Sequence, residues 1–296
     1  MTFDIMLPFY GSVEHFKIAV RSVLAQTYTD IRLVIVDDVY PDPSAGEWAV
    51  SLGDPRVEYL RNEQNLGVSR NYLKCVGMMQ SEYSMLMGCD DVMLPGFVEH
   101  VLDLVEKYPG ADVIQTGVRV IDGDGNPSTP MADRVKAALR PRGPKPLELT
   151  GEHLAASLAR ANWTYFPSLV WRVETIRRIG FRADLDVVQD IAMLLDIAMS
   201  GGSLVLDDGL NFEYRRHASS VSAMTAVSGA RFVQERTVFD GAAAQFSAMG
   251  WRRASRAARH RTTSRLNALT QLPVALRNKD DEGRGALLHH AFSRGV

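Results

Sequence analysis

Apolar runs that stop abruptly at polar residues are the feature that most restricts how this chain can fold. Three of them lie early in the chain, at 3–7, 31–36 and 83–87. Nearly continuous apolar runs of this length are typical of parallel strands buried on both faces of a sheet. Segments with helical spacing of apolar residues separate them, at 13–27, 45–52 and 68–79. We therefore predict a mostly parallel, doubly wound α/β sheet with right-handed crossovers.

Polar residues follow the carboxyl ends of the predicted strands. They are Pro8-Phe9-Tyr10, Asp37-Asp38 and Asp90-Asp91. In open α/β sheets ligands bind at the carboxyl ends of the strands. We therefore expect the ligand site on this rim of the sheet.

The second half of the chain continues the alternation less regularly. The pattern predicts a helix at 96–108, a strand at 112–120, a turn at 122–126, a helix from 151, a strand at 169–171, a helix ending near 179 and another beginning near 190. Residues 127–150 are rich in basic residues and proline, so we predict a mobile loop there, suited to act as a lid.

Charge is unevenly distributed along the chain. It has 33 Lys and Arg against 35 Asp and Glu, a net charge of −2. Residues 251–296 hold ten of the basic and three of the acidic residues, so this tail carries +7 and the preceding 250 residues carry −9. The near-neutral total argues against a nucleic-acid partner and against an acidic disordered chain.

Cysteine content and hydropathy bear on the cellular compartment. Cys75 and Cys89 are the only cysteines, which excludes a disulfide scaffold and a cysteine-built zinc or iron–sulfur site. No run reaches the roughly 18 to 20 apolar residues of a bilayer span, and the N-terminal residues do not form a secretory signal. We expect a cytoplasmic protein whose membrane contact, if any, is peripheral.

Phosphate-binding loops of two common kinds are missing from the sequence. No GxGxxG follows the first predicted strand, and no GxxxxGK[ST] occurs. Asp90-Asp91 instead offers hard oxygen ligands suited to Mg²⁺ or Mn²⁺, which bridge and neutralise a diphosphate. The alternative is that this acid pair only caps the following helix.

Four segments occur in the order of a known family. They are Leu7-Pro8-Phe9-Tyr10-Gly11 (compare P-x-Y-N), Ser22-Val23-Leu24-Ala25-Gln26-Thr27-Tyr28 (S-V-L-x-Q-T-Y), Val34-Ile35-Val36-Asp37-Asp38 with Asp42 (V-V-D-D-x-S-x-D), and Asn65-Leu66-Gly67 with Arg70-Asn71 (a shortened N-x-G-x-x-x-x-R-N). Over about residues 1–225 the chain thus resembles the family 2 glycosyltransferases of the GT-A fold. The resemblance implies a Rossmann-like, mostly parallel central sheet flanked by helices. It implies a nucleotide-sugar half at 1–105, an acceptor half at 106–225 and a helical basic extension at 226–296.

The resemblance also assigns the nucleotide site. It implies that the nucleotide is held by Pro8, Tyr10, Asp38 and either Asn65 or Arg70, with Asp38 reading the base. Local chemistry agrees, because a carboxylate accepts the imide N–H of uracil or thymine and an aromatic ring stacks on a base. The alternative is that the acid pair at 37 and 38 only forms a turn.

The metal motif departs from the family pattern. Gly88-Cys89-Asp90-Asp91 stands where the family has D-x-D-D, so the first acid is missing. By resemblance Asp90 matches the acid that bonds Mg²⁺ or Mn²⁺ directly, and weaker metal affinity is the expected consequence. Cys89 is expected to be a packing residue rather than a soft ligand.

Two later segments complete the resemblance. Val187-Val188-Gln189-Asp190 resembles the family's E-D-x-x-L helix, which implies that Asp190 is the catalytic base. Capping its own helix is the alternative, and the two roles are compatible. Tyr214-Arg215-Arg216-His217 with Ser219, Ser220 and Ser222 resembles Y-R-x-H-x-x-S-x-S. His217 is then a candidate metal or pyrophosphate ligand, and Arg215 or Arg216 a clamp on phosphate oxygens.

Two further segments leave alternatives open. Trp163, Tyr165 and Phe166 either bind the acceptor sugar or belong to the core. The basic tail either lies on an anionic membrane surface, gaining about 1 kcal/mol per basic residue, or packs on the catalytic domain or in a dimer. A membrane-bound tail at the inner face of the plasma membrane suits a lipid-linked acceptor.

The sequence therefore predicts an inverting, metal-dependent glycosyltransferase. It would move a sugar from a nucleoside-diphosphate sugar, UDP- or dTDP-linked, to a hydroxyl acceptor in cell-envelope polysaccharide or glycolipid assembly. A non-catalytic nucleotide-sugar-binding relative is one alternative, because the first metal acid is missing. A sugar-phosphate nucleotidyltransferase is the other, which the lack of Lys in Phe9-Tyr10-Gly11-Ser12 disfavours.

Overall fold

A nine-stranded sheet lies at the centre of the molecule, and a computed structural model describes residues 2–217 and 229–293. The strands are β1 Phe3–Phe9, β2 Ile31–Asp37, β3 Val57–Arg61, β4 Tyr83–Leu86, β5 Val92–Met93, β6 Val113–Ile121, β7 Leu147–Thr150, β8 Leu169–Arg172 and β9 Ser203–Arg215. Their order across the sheet is β3-β2-β1-β4-β8-β6-β9-β5, and β7 pairs with β9 beside this path.

Helices cover the sheet and continue past it. The first eight are α1 Val13–Leu24, α2 Ser44–Ser51, α3 Val68–Met78, α4 Phe97–Lys107, α5 Met131–Leu139, α6 Gly151–Arg160, α7 Val173–Ile179 and α8 Gln189–Met199. Four more follow residue 229: α9 Ala230–Ala248, α10 Arg252–His260, α11 Thr262–Arg277 and α12 Asp281–Phe292. In the part of the chain that the structure describes, no helix has the length and apolar character of a membrane span.

The first half of the sheet is parallel, as the sequence predicts. β1 pairs in parallel with β2 and β4, and β2 pairs in parallel with β3. The register places Phe9 opposite Asp37, so both strands end at the same edge. Side chains of β1 alternate between two cores, with Met6 facing one and Ile5 and Leu7 the other. The predicted α/β class with a mostly parallel central sheet flanked by helices is confirmed.

The second half of the sheet contains antiparallel pairs. β8 runs antiparallel to β4 and β6, whereas β9 pairs in parallel with β6 and antiparallel with β5 and β7. The β6–β9 register shifts on both sides of Gly117, where a side chain would collide with the backbone of Asp208. β9 ends beside the predicted acid pair, because the backbone N–H of its last residue, Arg215, donates to Asp91 Oδ1 at 2.8 Å.

The predicted loop at 127–150 is wrong. This segment contains α5 and then β7, which pairs with β9 along its whole length from Leu147↔Leu206 to Thr150↔Ser203. The sequence hides both elements, because α5 buries little apolar surface and β7 is only four residues long beside a cluster of prolines. The segment thus contains a largely exposed helix and a strand of the sheet, where the sequence predicts a loop.

The C-terminal helices share the main core. Phe246 of α9 and Ala254 and Ala258 of α10 belong to the same buried cluster as Trp163 and Leu194. α11 and α12 pair with each other over a small cluster that includes Phe232 and Leu287. Packing on the catalytic part, one of the two alternatives for the tail, is therefore present. The predicted boundary at residue 225 lies outside the described residues and stays a prediction.

Candidate active site

Asp38, at the end of β2, binds the loop at 62–67 through hydrogen bonds. Its Oδ1 accepts from Asn62 Nδ2 and from the Leu66 N–H, both at 2.7 Å, and its Oδ2 accepts from the Gly67 N–H at 2.9 Å. An ionised carboxylate has about four lone-pair positions. One lone-pair position on Oδ2 is thus not used by these bonds, and the Asp38 residue as a whole is only 3% exposed.

Asp37 has a structural role instead. It is fully buried, and its Oδ2 accepts from Tyr59 Oη and Arg61 Nη1, each at 2.6 Å. Burial raises the pKa of Tyr59 to about 12, so this phenol stays a donor. Between the two acids and Tyr40, Val39 has a φ of 62°, a conformation that a β-branched residue rarely adopts. The hydrogen bonds on either side hold this strained turn in place.

The other residues assigned to the nucleotide lie around Asp38. Tyr10 is 55% exposed, and its ring meets the Tyr40 ring edge-on at 5.2 Å. Asn65 donates to the Asp38 main-chain oxygen at 3.0 Å. Arg70 is exposed on α3 and has no ion pair with any residue of the described ranges. Pro8 is buried inside β1 opposite Val36, so it can affect the nucleotide only through packing.

His217 bonds Asp90, the residue matched to the metal-binding acid. His217 Nε2 lies 2.6 Å from Asp90 Oδ2, and both side chains are partly exposed. Ser219, Ser220 and Ser222 of the same motif lie outside the described residues.

Arg215 holds the acid pair from behind. It is 3% exposed, donates from Nε to the Asp90 main-chain oxygen at 2.7 Å, and from its backbone N–H to Asp91 Oδ1 at 2.8 Å. Its Nη1 donates to the carbonyl oxygens of Asp122 and Gly123, each at 3.1 Å. The sequence predicts that either Arg215 or Arg216 binds phosphate oxygens. The guanidinium of Arg215 is already bonded to backbone oxygens, so Arg215 supports the acid pair.

The two acids of the pair differ in environment. Asp91 is fully buried, and burial together with the Asp90 charge raises the pKa of Asp91 well above its ordinary value. Asp90 is 28% exposed and keeps access to a ligand. A side chain at Gly88 would collide with the Asp91 carboxyl, so Asp91 occupies the space that the missing first acid would need.

Cys89 does not offer a soft metal ligand. Burial raises the pKa of the Cys89 thiol, which favours the protonated form. The expectation that Cys89 is a packing residue agrees with this placement.

Arg216 is engaged by a residue of α5. Its Nε and Nη2 donate to the two carboxylate oxygens of Asp133 at 2.6 and 2.8 Å, and Tyr165 Oη donates to the same carboxylate at 3.0 Å. The guanidinium also lies 5.2 Å over the Tyr214 ring. A phosphate would therefore have to share Arg216 with Asp133.

Asp190 stands in the first turn of α8. Its Oδ2 accepts from Asn162 Nδ2 at 3.3 Å. Burial raises the pKa of Asp190, and the opposing effects of Asn162, Lys136 and Arg231 do not cancel that rise. A half-buried carboxylate with a raised pKa has the properties of a general base.

A path of contacts connects Asp190 with the acid pair: Asn162 and Thr164 lead from Asp190 to Tyr165, which shares Asp133 with Arg216, and the next residue, His217, bonds Asp90. The charge of Lys136 favours the ionised form of Asp190 and so opposes the rise of its pKa. The charge of Arg216 lowers the pKa of Lys136 and opposes the rise of the pKa of Asp91. Arg231 of α9 likewise interacts with Asp190 and Arg216. The C-terminal extension thus contributes a cation to this site.

Three residues of the site carry no clear signal in the sequence. His15 Nε2 lies 3.1 Å from the Gly123 carbonyl oxygen, and its ring centroid lies 5.6 Å from that of His217. Lys136 and Arg231 are the other two, and both lie in segments without a recognisable motif. Only the fold brings them to the acids.

The aromatic residues before α8 divide between core and site. Trp163 is 1% exposed and belongs to the main core, and Phe166 stacks on Tyr72 at 5.3 Å. Tyr165 is half-buried and bonds Asp133. Trp163 and Phe166 therefore belong to the core, which is one of the two alternatives, whereas Tyr165 contacts Asp133 of α5.

Asp90 and His217 fit a divalent cation only as a pair. No group of three or more His, Cys, Asp or Glu side chains within residues 2–217 and 229–293 is arranged to hold a metal. Magnesium sites commonly use one or two protein carboxylates and take further ligands from substrate phosphates and water. Oxygen and imidazole ligands also suit Mn²⁺. A metal here would depend on a bound diphosphate for most of its ligands.

Known proteins resemble this chain in sequence and in structure. A Rickettsia conorii protein described as an uncharacterized glycosyltransferase is 33% identical over 125 residues, 42% of this chain and 20% of that protein. A Mycobacterium tuberculosis protein described as uncharacterized is 25% identical over 239 residues, 79% of this chain and 72% of that protein. The chain spans about a fifth to two-fifths of the length of the first curated relatives that it matches.

The crystal structure of S. aureus TarS 1-349 in complex with UDP-GlcNAc has a TM-score of 0.64 at 14% identity, and the match covers 99% of this chain and 93% of that one. At this identity the likeness shows the fold, which is of the GT-A type that the sequence predicts. The family model of glycosyl transferase family 2 matches residues 4–164, more than half of the chain. The chain therefore belongs to glycosyl transferase family 2.

Proposed function

We propose that this chain is an inverting glycosyltransferase. It moves a sugar from a nucleoside-diphosphate sugar to a hydroxyl acceptor in the assembly of a cell-envelope polysaccharide or glycolipid. The observation that carries the proposal is a path of contacts from Asp190 through Asn162 and Thr164 to Tyr165, which shares Asp133 with Arg216, the neighbour of the Asp90 partner His217. A base and a diphosphate site side by side are what such a transfer requires.

The donor is proposed to carry UDP or dTDP. Uracil and thymine each present an imide N–H, which the largely buried Asp38 can accept through the Oδ2 lone pair that its own contacts leave unused. Cytosine presents a ring nitrogen acceptor at that position, which a carboxylate repels. The TarS structure with UDP-GlcNAc supports a uridine nucleotide in a chain of this fold.

Asp190 is proposed to activate the acceptor. Its carboxylate takes the proton of the acceptor hydroxyl while that oxygen forms a bond to the anomeric carbon. The bond from the anomeric carbon to the diphosphate oxygen breaks, and the nucleoside diphosphate leaves with the electron pair. Because attack and departure occur on opposite faces of the sugar, the configuration inverts.

Asp90 and His217 are the residues that would hold Mg²⁺ or Mn²⁺. Bound there, the cation would neutralise the charge that develops on the leaving diphosphate. Arg215 keeps Asp90 and Asp91 in position through their backbone and carboxyl oxygens. Arg216 is proposed to reach the phosphates by exchanging its Asp133 contact.

A thermal-shift screen tests the donor proposal. UDP or dTDP with Mn²⁺, at about a hundredfold above its dissociation constant, should stabilise the protein by about 2.7 kcal/mol, visible as a melting shift of about 5 °C or more. CDP, GDP and uridine, each with Mn²⁺, serve as controls and should shift it less. A larger shift with GDP or CDP would contradict the assignment of Asp38 to the base. Binding of UDP without transfer from any donor to a broad set of acceptors would favour the non-catalytic relative.

The basic tail is proposed to contact an anionic membrane that carries a lipid-linked acceptor. One face of α10 exposes Arg252, Arg253, Arg256 and Arg259, and none of them forms an ion pair with a residue that the structure describes. The opposite face, with Ala254 and Ala258, packs into the core. Packing on the catalytic part and membrane contact are therefore compatible.

Vesicle sedimentation tests this contact. Wild-type protein should bind vesicles of phosphatidylglycerol and phosphatidylcholine at low salt, and replacing Arg252, Arg256 and Arg259 by glutamine should weaken binding about tenfold or more, at about 1 kcal/mol per residue. Pure phosphatidylcholine vesicles provide the control. Equal binding to both vesicle types, or no loss in the triple variant, would contradict the proposal.

A further inference from the structure

A small, partly open cavity lies beside Lys136 and outside the donor site described above. It measures about 70 Å³ and lies between β6, α5 and the segment at 162–165. Its polar lining comes from Gln115, Lys136 and Arg140, and its aromatic lining from Trp163 and Tyr165. A space of this size holds a group of a few heavy atoms rather than a whole sugar ring.

The cavity is lined by two cations whose charges are not fully balanced. Lys136 Nζ donates to the Thr164 main-chain oxygen at 2.7 Å and lies 4.5 Å over the Tyr165 ring, and neither contact carries a full negative charge. Arg140 pairs through Nη1 with Asp208 at 2.8 Å, but that carboxylate is 59% exposed. The nearby carboxylate of Asp133 is already bonded by Arg216.

Polar atoms of the lining residues also lack partners. Among the residues that the structure describes, Arg140 Nε and Gln115 Oε1 are buried and have no hydrogen bond. Buried polar groups are normally hydrogen-bonded, so such atoms point to an absent water or ligand. A side-chain amide can turn over and present its NH₂ in place of its oxygen. Gln115 can thus donate as well as accept.

A chain of hydrogen bonds connects the cavity with the proposed base. Lys136 donates to Thr164, whose Oγ1 donates to Asn162 Oδ1 at 2.7 Å. Asn162 in turn donates to Asp190 at 3.3 Å. Thr164 and Asn162 thus link Lys136 with Asp190, which puts the cavity on the side of the proposed base and not on that of the nucleotide residues.

We propose that this cavity binds an anionic group of the acceptor, a carboxylate or a phosphate, through Lys136 and Arg140. The inference rests on the proposed function, because it describes the acceptor of that same reaction. An anion would balance the two cations and take up the unpaired donor of Arg140. A neutral sugar would leave Lys136 without a bonded carboxylate and Arg140 Nε without an acceptor.

The ionisation of Lys136 provides a readout that a purely structural residue would not move. Burial and the Arg216 charge lower the pKa of Lys136 to about 8. The charged groups that act on it are Arg216, Arg231, Asp190 and Asp133, from four different elements. The ammonium is present below this pKa and is lost above it, so anion affinity should fall as the pH rises from 7 to 9.

Binding of small probes to the full chain tests the proposal. Glucuronate and glycerol 1-phosphate supply the carboxylate and the phosphate, and glucose and glycerol are their neutral counterparts. With saturating UDP and Mn²⁺, titration calorimetry should show at least one anionic probe binding tenfold or more tightly than its neutral counterpart. Lys136→Met should lose about tenfold of that affinity and most of its dependence on pH.

Arg134→Gln is the matched control, because Arg134 is exposed on the same helix and its replacement by glutamine removes the same charge. It should keep the affinity within about twofold. Arg140→Gln is the second variant, and thermal melting shows that each variant is folded. Equal binding of charged and neutral probes, no binding of any probe, or equal losses in Lys136→Met and Arg134→Gln would overturn the proposal. UDP binding in the same samples separates the two ideas: if UDP binds and the anions do not, only the cavity assignment fails, and if UDP does not bind, the proposed function fails.

Discussion

Replacing Asp190 by asparagine should lower the rate of sugar transfer by about 10³-fold and leave affinity for the donor nucleotide nearly unchanged, because a general base contributes roughly 10²- to 10⁴-fold. Asparagine keeps the size of the carboxyl group and its place in the first turn of α8, but it has no basic oxygen to take the proton. Release of nucleoside diphosphate measures transfer, and calorimetry measures UDP affinity. Loss of UDP binding in this variant would contradict the base role and make Asp190 a donor-binding residue.

Asp196 offers a control on the same helix. It pairs with Arg182 at 2.8 Å near the surface, away from the acids of the site. Asp196→Asn removes the same charge and should leave the transfer rate unchanged, with a loss of stability of at most about 1 kcal/mol. A comparable rate loss in both variants would mean that the effect of Asp190→Asn comes from the helix and not from the base.

The pH dependence of transfer follows from the same residue. Burial raises the pKa of Asp190 above its ordinary value of 3.8, and the base works only when it is ionised. The rate should therefore be full above the raised pKa and should fall as the pH decreases through it. Asn162→Leu removes a hydrogen bond that favours the ionised form, so the acidic limb should move to higher pH. An acidic limb that does not move would contradict the assignment.

The sequence predicts the nucleotide half of the fold well because its strands are buried on both faces. β1 and β4 are buried at every residue and β2 at all but Arg32, and the acids at the end of β2 and after β4 mark the edge that carries the candidate site. β9 has no such pattern, since Asp207 and Asp208 interrupt it and its burial is irregular. α5 buries a carboxylate, Asp133, rather than an apolar stripe. Tertiary pairing determines both elements, and local periodicity does not reveal them.

The sequence predicts where the candidate site residues lie but not how their roles are divided. Each place carries a doublet: Asp37-Asp38, Asp90-Asp91 and Arg215-Arg216. Neighbouring residues of an extended backbone point to opposite sides, so one member of a doublet can be buried while the next faces the cleft. Arg215 is 3% exposed, whereas the Arg216 side chain is 29% exposed. Packing in the folded protein, and not the local sequence, determines which member of a doublet is buried and which one faces the cleft.

The Asp90-Asp91 doublet leads to the second large effect. Mn²⁺ should raise the affinity for UDP in the wild-type protein, and Asp90→Asn should remove this gain. The affinity for Mn²⁺ should fall by at least about 10- to 100-fold, the loss that removal of an outer-shell partner causes in a metal site. The reason is that a site with only Asp90 and His217 as protein ligands loses its one accessible carboxylate. Metal and nucleotide are expected to bind cooperatively, so UDP should raise Mn²⁺ affinity by the same factor as Mn²⁺ raises UDP affinity.

Asp91→Asn is the matched comparison, because it changes the adjacent carboxyl in the same turn. The raised pKa of Asp91 makes this buried carboxyl the member of the pair that gives up its charge more readily. Asparagine can still accept the Arg215 N–H that Asp91 Oδ1 accepts at 2.8 Å. The Mn²⁺-dependent affinity should therefore survive in Asp91→Asn and disappear in Asp90→Asn, as measured by UDP titrations with and without Mn²⁺ and by electron paramagnetic resonance of bound Mn²⁺. If Mn²⁺ does not change UDP affinity in the wild-type protein, Asp90 and His217 do not form a metal site. Cationic side chains such as Arg216 and Arg231 must then balance the charge of the diphosphate without a metal.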